Sequence, residues 1–159
     1  MVIALNNSKL FEWLLYKFIY SNAIRSTRYD EDYVGRVPVV NLFKVDQDPF
    51  VHIVDYILFL KTKYGLKSSY QLQYSYFEQL IDGMVFELYF EEEIKKAGRD
   101  ILKYLTDLQP ITDEMSDEQK MQVITKTFNE LYDKNHPVRQ NLEGMDAIEE
   151  ILIIKGLNE

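Results

Sequence analysis

Apolar residues are spaced most regularly between Tyr76 and Phe90. Phe77, Leu80, Ile81, Met84, Val85, Leu88 and Tyr89 fall at i, i+3, i+4, i+7, i+8, i+11 and i+12, the single stripe of an α-helix. Glu78, Gln79, Asp82 and Glu87 occupy the remaining face and are expected to stay in water. Gly83 stands inside the stripe, where glycine costs about 1 kcal/mol against alanine, and marks a close approach by a neighbouring backbone. A stripe this long needs several partner surfaces, so this helix is the predicted centre of the core.

The flanking segments supply those surfaces. Met1–Leu5 is a short apolar run that suggests the end of a strand, and Asn6, Asn7 and Ser8 are N-cap candidates for a helix running to about Tyr20. Leu10, Phe11, Leu14, Leu15, Phe18 and Ile19 form its apolar side, widened by Trp13 and Tyr16. Residues 21–47 are irregular, and Val37-Pro38-Val39-Val40 reads as an extended piece because Pro38 does not fit a helix interior. Asp48 as N-cap with Pro49 behind it predicts a helix ending at Gly65, with Phe50, Ile53, Val54, Ile57, Leu58 and Tyr64 on its apolar face. After the central helix a bend leads to a further helix over 91–108, weakened by Gly98 and stopped by Pro110. Ser116 and Gln119 make a capping box opening a helix to Tyr132 with Met121, Ile124, Phe128 and Leu131 on one side. His136-Pro137 opens a short helical turn towards Met145. The stretch 147–156 points both ways: Asp146 and Glu149 suggest a capping box, Ile151–Ile154 a strand. The expected fold is therefore mainly α, a bundle of about five to six helices with one short extended segment near residues 36–43. Residues 1–47 and 48–159 are its two expected parts, packed as one unit.

Composition narrows the class. With 159 residues, 47% hydrophobic and 14% aromatic, the chain is globular rather than disordered. No cysteine is present, which removes disulfides and thiolate metal sites. No apolar run approaches the roughly 20 residues of a membrane span, and no secretory leader pattern opens the sequence, so the expectation is a soluble cytoplasmic protein with no membrane partner. The net charge of −8 is unevenly placed. Residues 1–70 hold nine Lys/Arg against seven Asp/Glu, residues 71–159 nine against nineteen. Any contact with a phosphate backbone is thus expected from the first half.

Arg25, Arg28 and Arg36 lie in the irregular region among Ser26, Thr27, Tyr29 and Tyr33, with Asp30, Glu31 and Asp32 between them. Arginine beside tyrosine and small hydroxyls suits phosphate, while pairing with the local acids makes an ordinary surface loop. Lys61, Lys63 and Lys67 form a small basic end on the helix after Pro49. His52 has no partner at metal-ligand spacing and reads as a packing or surface residue. Asp82 followed by Glu93-Ile94-Lys95 matches the residue set of one large Mg²⁺-dependent nuclease class, yet that chemistry aims Glu and Lys from a strand, and both acids stand here in helical sequence. There is no glycine-rich phosphate loop and no nucleophile elbow.

Several segments, in order, resemble the C-terminal, target-recognition-associated region of Taq-type adenine-N6 DNA methyltransferases of restriction-modification systems. Ala4-Leu5-Asn6-Asn7-Ser8-Lys9-Leu10-Phe11-Glu12-Trp13 is similar to the family's "LNSKLFEW" helix, and Gly35-Arg36-Val37-Pro38-Val39 to its "R-I-P-I-P" segment, with Val40 in place of the second proline. Gln47–Lys61 resembles the "PF…LVD-I-L-LK" helix, Phe77–Phe90 the "LIDGMVYELYF" tail helix, and His136-Pro137-Val138 with the final isoleucine-rich run its C-terminal end. The family's cofactor loop and Asn-Pro-Pro-aromatic quartet are missing, and the four prolines, at 38, 49, 110 and 137, are isolated. The resemblance therefore implies a non-catalytic piece cut from a longer protein. Its implied partners are DNA, through Arg25, Arg28, Arg36, Lys61, Lys63 and Lys67, and a methyltransferase domain or subunit. S-adenosylmethionine is implied for that parent protein and no cofactor for this chain. An uncovered apolar patch on the Ser8–Tyr20 helix would favour pairing of two copies. A free-standing helical adaptor, whose acidic face binds a protein, is the alternative.

Overall fold

In a computed structural model, residues 1–19, 35, 37–38, 40, 45–65 and 68–157 are described. Among them are eight α-helices and no strand: α1 (Val2–Asn6), α2 (Lys9–Leu14), α3 (Asp48–Tyr64), α4 (Ser68–Tyr89), α5 (Glu91–Ala97), α6 (Asp117–Leu131), α7 (Pro137–Gly144) and α8 (Glu149–Lys155). The mainly helical expectation holds, with more helices than anticipated because several are one or two turns long. Of the expected extended segment only Val37, Pro38 and Val40 are described; residues 36, 39 and 41–43 lie outside the described set.

The 22-residue α4 is the hub. Phe77, Leu80, Met84, Val85 and Phe86 are almost wholly buried, together with Phe50, Ile53, Tyr56 and Leu60 of α3 and Ile124 of α6. Ala4, Leu5 and Leu10 belong to the same apolar cluster, as do Val138 and Leu142 of α7 and Ile151 and Ile154 of α8. The aromatic content is concentrated where α4 meets α6. Tyr76 stands edge-on to Phe128 and Tyr132, at ring separations of 5.9 and 5.1 Å, and its hydroxyl donates to the Leu131 carbonyl at 2.6 Å. Edge-to-face geometry of this kind adds about 0.5–1.5 kcal/mol per pair beyond area burial.

Local chemistry explains most helix limits. Gly65, in the positive-φ region, closes α3, and Pro49 sits in its first turn with the cap at Gln47, one residue ahead of the expected Asp48. Ser116 accepts from the Gln119 N–H at 3.3 Å while the Gln119 side chain accepts from the Ser116 N–H at 2.8 Å, so both halves of the expected capping box form. His136 Nδ1 caps α7 by accepting from Val138 N–H at 3.2 Å.

Three expectations fail on physical grounds, and one left open is decided. Residues 2–6 are helical, not a strand end: Ala4 and Leu5 are buried while Val2 and Ile3 face outwards, a partition helix geometry supplies and strand alternation does not. The helix after Ser8 is α-helical only to Leu14 and widens into a π-helical turn over Leu15–Ile19. The helix expected over 91–108 stops at Gly98, whose left-handed φ of 65° ends α5, and resumes only as a 3₁₀ turn at Leu102–Tyr104. Of the two readings of 147–156 the helical one holds over Glu149–Lys155, although Asp146 pairs with Lys155 at 2.5 Å instead of capping.

Candidate functional site

Lys61 and Lys63 project from the last turn of α3, where cations offset the negative end of the helix dipole. Each already has an acid. Lys61 Nζ meets Glu78 Oε1 of α4 at 2.5 Å and lies 5.3 Å above the Tyr74 ring. Lys63 pairs with Asp117 at the start of α6, whose hydrogen bond and charge raise the lysine's affinity for its proton. Glu118 stands nearby, so among the described residues Lys61 and Lys63 face three acids, Glu78, Asp117 and Glu118. A phosphate arriving here meets an almost neutral surface. Arg25, Arg28, Arg36 and Lys67 lie outside the described residues.

A second constellation is better defined: the junction of α2, the 37–40 segment and α4. Ser8 is buried, adopts extended backbone, donates to the Leu5 carbonyl at 2.8 Å and accepts from Phe11 N–H at 3.3 Å, thereby starting α2. Lys9 N–H then donates to Asp82 Oδ1 on α4 at 2.7 Å. Phe11 and Leu15 enclose Val37 in a small apolar cluster of their own. The Tyr89 hydroxyl, at the far end of α4, donates to the Pro38 carbonyl at 2.8 Å and also accepts from Val40 N–H. Leu10, Phe11, Leu14, Val85 and Tyr89 close this junction so tightly that no water fits between them.

Of the three acids of α4 expected in water, Glu78 is exposed, whereas Asp82 and Glu87 are drawn inwards. Asp82 is partly buried; that burial pushes its carboxyl up to about 6, opposed by the Lys9 N–H and by the Lys155 and Lys9 ammonium groups. Glu87 is only 7% exposed, and one of its oxygens accepts from Ile101 N–H at 2.6 Å and Leu102 N–H at 2.9 Å. Desolvation raises its pKa, and the two N–H donors pull it back. Sequence spacing missed both roles because the partners lie 73 and 14 residues away. The available signal was an acid wedged between apolar neighbours: Ile81 and Gly83 around one, Phe86 and Leu88 around the other.

Of the nuclease-like set, Asp82 is committed to Lys9, Glu93 lies on the exposed side of α5, and Lys95 pairs with Glu91. Among the described residues no group of three His, Cys, Asp or Glu is placed to hold a metal ion. No described helix is long and apolar enough to cross a membrane. No family model, no curated protein and no solved structure matches the chain.

Proposed function

We propose that this chain is a non-catalytic helical scaffold of a restriction-modification adenine-N6 DNA methyltransferase, bracing the target-recognition region against the rest of the protein and lending a few phosphate contacts. The observation that supports this reading is the junction on α4. Three segments that separately resemble the family, Ser8–Trp13, the strip at Val37–Pro38 and the 77–90 helix, interlock through Lys9–Asp82, Val37–Phe11 and Tyr89–Pro38. Such contacts hold Val37 and Pro38 against α2 and α4. Phosphate contacts made from there position a protein on a duplex and do not choose its sequence.

The test is fluorescence anisotropy of a labelled duplex titrated with the chain at several salt concentrations. Two or three phosphate contacts give a slope of about −2 to −3 in log affinity against log salt. An Arg25→Ala, Arg28→Ala, Arg36→Ala triple variant should flatten it. A salt-independent affinity, or a slope untouched by the triple variant, overturns the DNA-contact part. An Asn-Pro-Pro-aromatic motif encoded ahead of Met1 in the same reading frame would support the parent assignment.

A second reading has one observation in its favour. Lys61 and Lys63 are neutralised by Glu78 and Asp117, as suits a helical adaptor whose acidic face binds a protein. On that reading DNA does not bind at any salt concentration.

A further inference from the structure

α1 and α8 contain five and seven residues, and α2 six before its π-helical continuation over Leu15–Ile19. Isolated helices shorter than about 12–15 residues are marginal in water, so each of these persists only while docked. α2 meets α4 at Asp82, the Lys155 charge of α8 acts on the same residue, and α1 packs on α2, α3 and α4. Asp82 accepts the Lys9 N–H at the start of α2, and the Lys155 ammonium of α8 also acts on its carboxylate, against the like charge of Glu78. Lys155 is itself held by Asp146 at 2.5 Å, with its ammonium 5.9 Å from the Phe86 ring centre. α2 packs on α8 directly as well as on α4, and Leu5, Leu10, Ile151 and Ile154 share one buried cluster.

We infer that α1, α2 and α8 form a single clasp that opens as one unit, latched at Asp82, while α3, α4 and α6 remain folded. If α2 leaves, Asp82 loses its donor and the apolar flank of α8 meets water. If α8 leaves, Asp82 loses the nearby Lys155 charge and α2 loses its neighbour. Each departure therefore weakens what holds the other, the condition for a cooperative sub-global opening. This inference does not rest on the proposed function, because it concerns contacts within the chain.

Hydrogen exchange of the full chain at neutral pH tests it, using Lys9→Pro. Ser8 has φ −81° and ψ 153°, which a following proline tolerates, and the first helical position is where proline fits best. The variant keeps the helix, deletes the one N–H given to Asp82 and puts the ring Cδ in its place, so the carboxylate is turned away. Lys9→Ala, which retains that N–H, is the control; the Lys9–Glu12 pair it removes is well exposed and contributes little. In Lys9→Pro, protection over residues 2–14 and 149–155 should fall together by roughly tenfold, with α6 unchanged. Ile154→Ala, made in α8, should lower protection across α2 by the same factor as across α8. Loss confined to the substituted segment, no loss in Lys9→Pro, equal loss in Lys9→Ala, or loss that includes α6 would each overturn the clasp.

Discussion

Gly83 offers the sharpest test of how α4 meets its neighbours. A Cβ built on it would lie 2.4 Å from Leu142 Cδ1, 3.0 Å from Ile101 Cδ1 and 3.5 Å from Met145 Sδ. The close approach expected at this glycine is real, but it is made by side-chain methyls and not by a backbone. Carbon atoms prefer separations of about 3.5–4.0 Å, so the first two contacts are repulsive. Leu142 is 8% exposed and can turn away, whereas Ile101 is fully buried and its N–H is fixed by Glu87. Overpacking of this kind costs about 1–3 kcal/mol, and alanine returns about 1 kcal/mol of helix propensity. Gly83→Ala is therefore expected to destabilise the protein by about 1 kcal/mol in urea unfolding followed by far-UV circular dichroism, with the slope unchanged. In a Leu142→Ala background the main obstruction is gone, and the same substitution should stabilise. A gain of about 1 kcal/mol in the parent protein, or an equal effect in both backgrounds, would refute the packing described at this site.

Two further outcomes follow from the buried acids. Asp82 has its pKa raised from 3.8 to about 6, so its stabilising contribution is complete below its unfolded value and lost as pH rises through its folded value. Asp82→Asn mimics the protonated form and still accepts the Lys9 N–H; relative to the parent it should gain roughly 1–2 kcal/mol between about pH 4 and about pH 7, measured by urea unfolding at each pH. A constant difference across that range would exclude Asp82 as the titrating group. Glu87→Ala leaves the Ile101 and Leu102 N–H groups without an acceptor and should cost about 2–4 kcal/mol, whereas Glu87→Gln, which keeps an oxygen there, should recover most of the loss in a thermal melt.

The parts of the fold visible in the sequence are those set by neighbours a few residues apart. Pro49 and Gly65 delimit α3, Ser116 and Gln119 start α6, and the 77–89 stripe marks α4, because caps and helical periodicity act within a turn or two. The parts not visible depend on distant partners. The strand end expected at Met1–Leu5 is a helix because Leu5 enters the cluster around α4, and Asp82 and Glu87 are drawn inwards by N–H groups of α2 and of the turn after α5. The candidate phosphate site divides the same way. Lys61 and Lys63 were recognisable as a basic helix end, but Glu78 and Asp117 neutralise them across helix boundaries that no spacing rule reveals.

Tyr89 has a consequence for how bare backbone survives in a helical molecule. A free carbonyl at Pro38 and a free amide at Val40 could template a strand from another chain, the usual route to edge-to-edge aggregation. One phenol engages both, taking the Pro38 oxygen and the Val40 N–H, so these groups are blunted without any sheet. The aromatic ring that ends the hub helix thereby also keeps this strip from recruiting a β-partner.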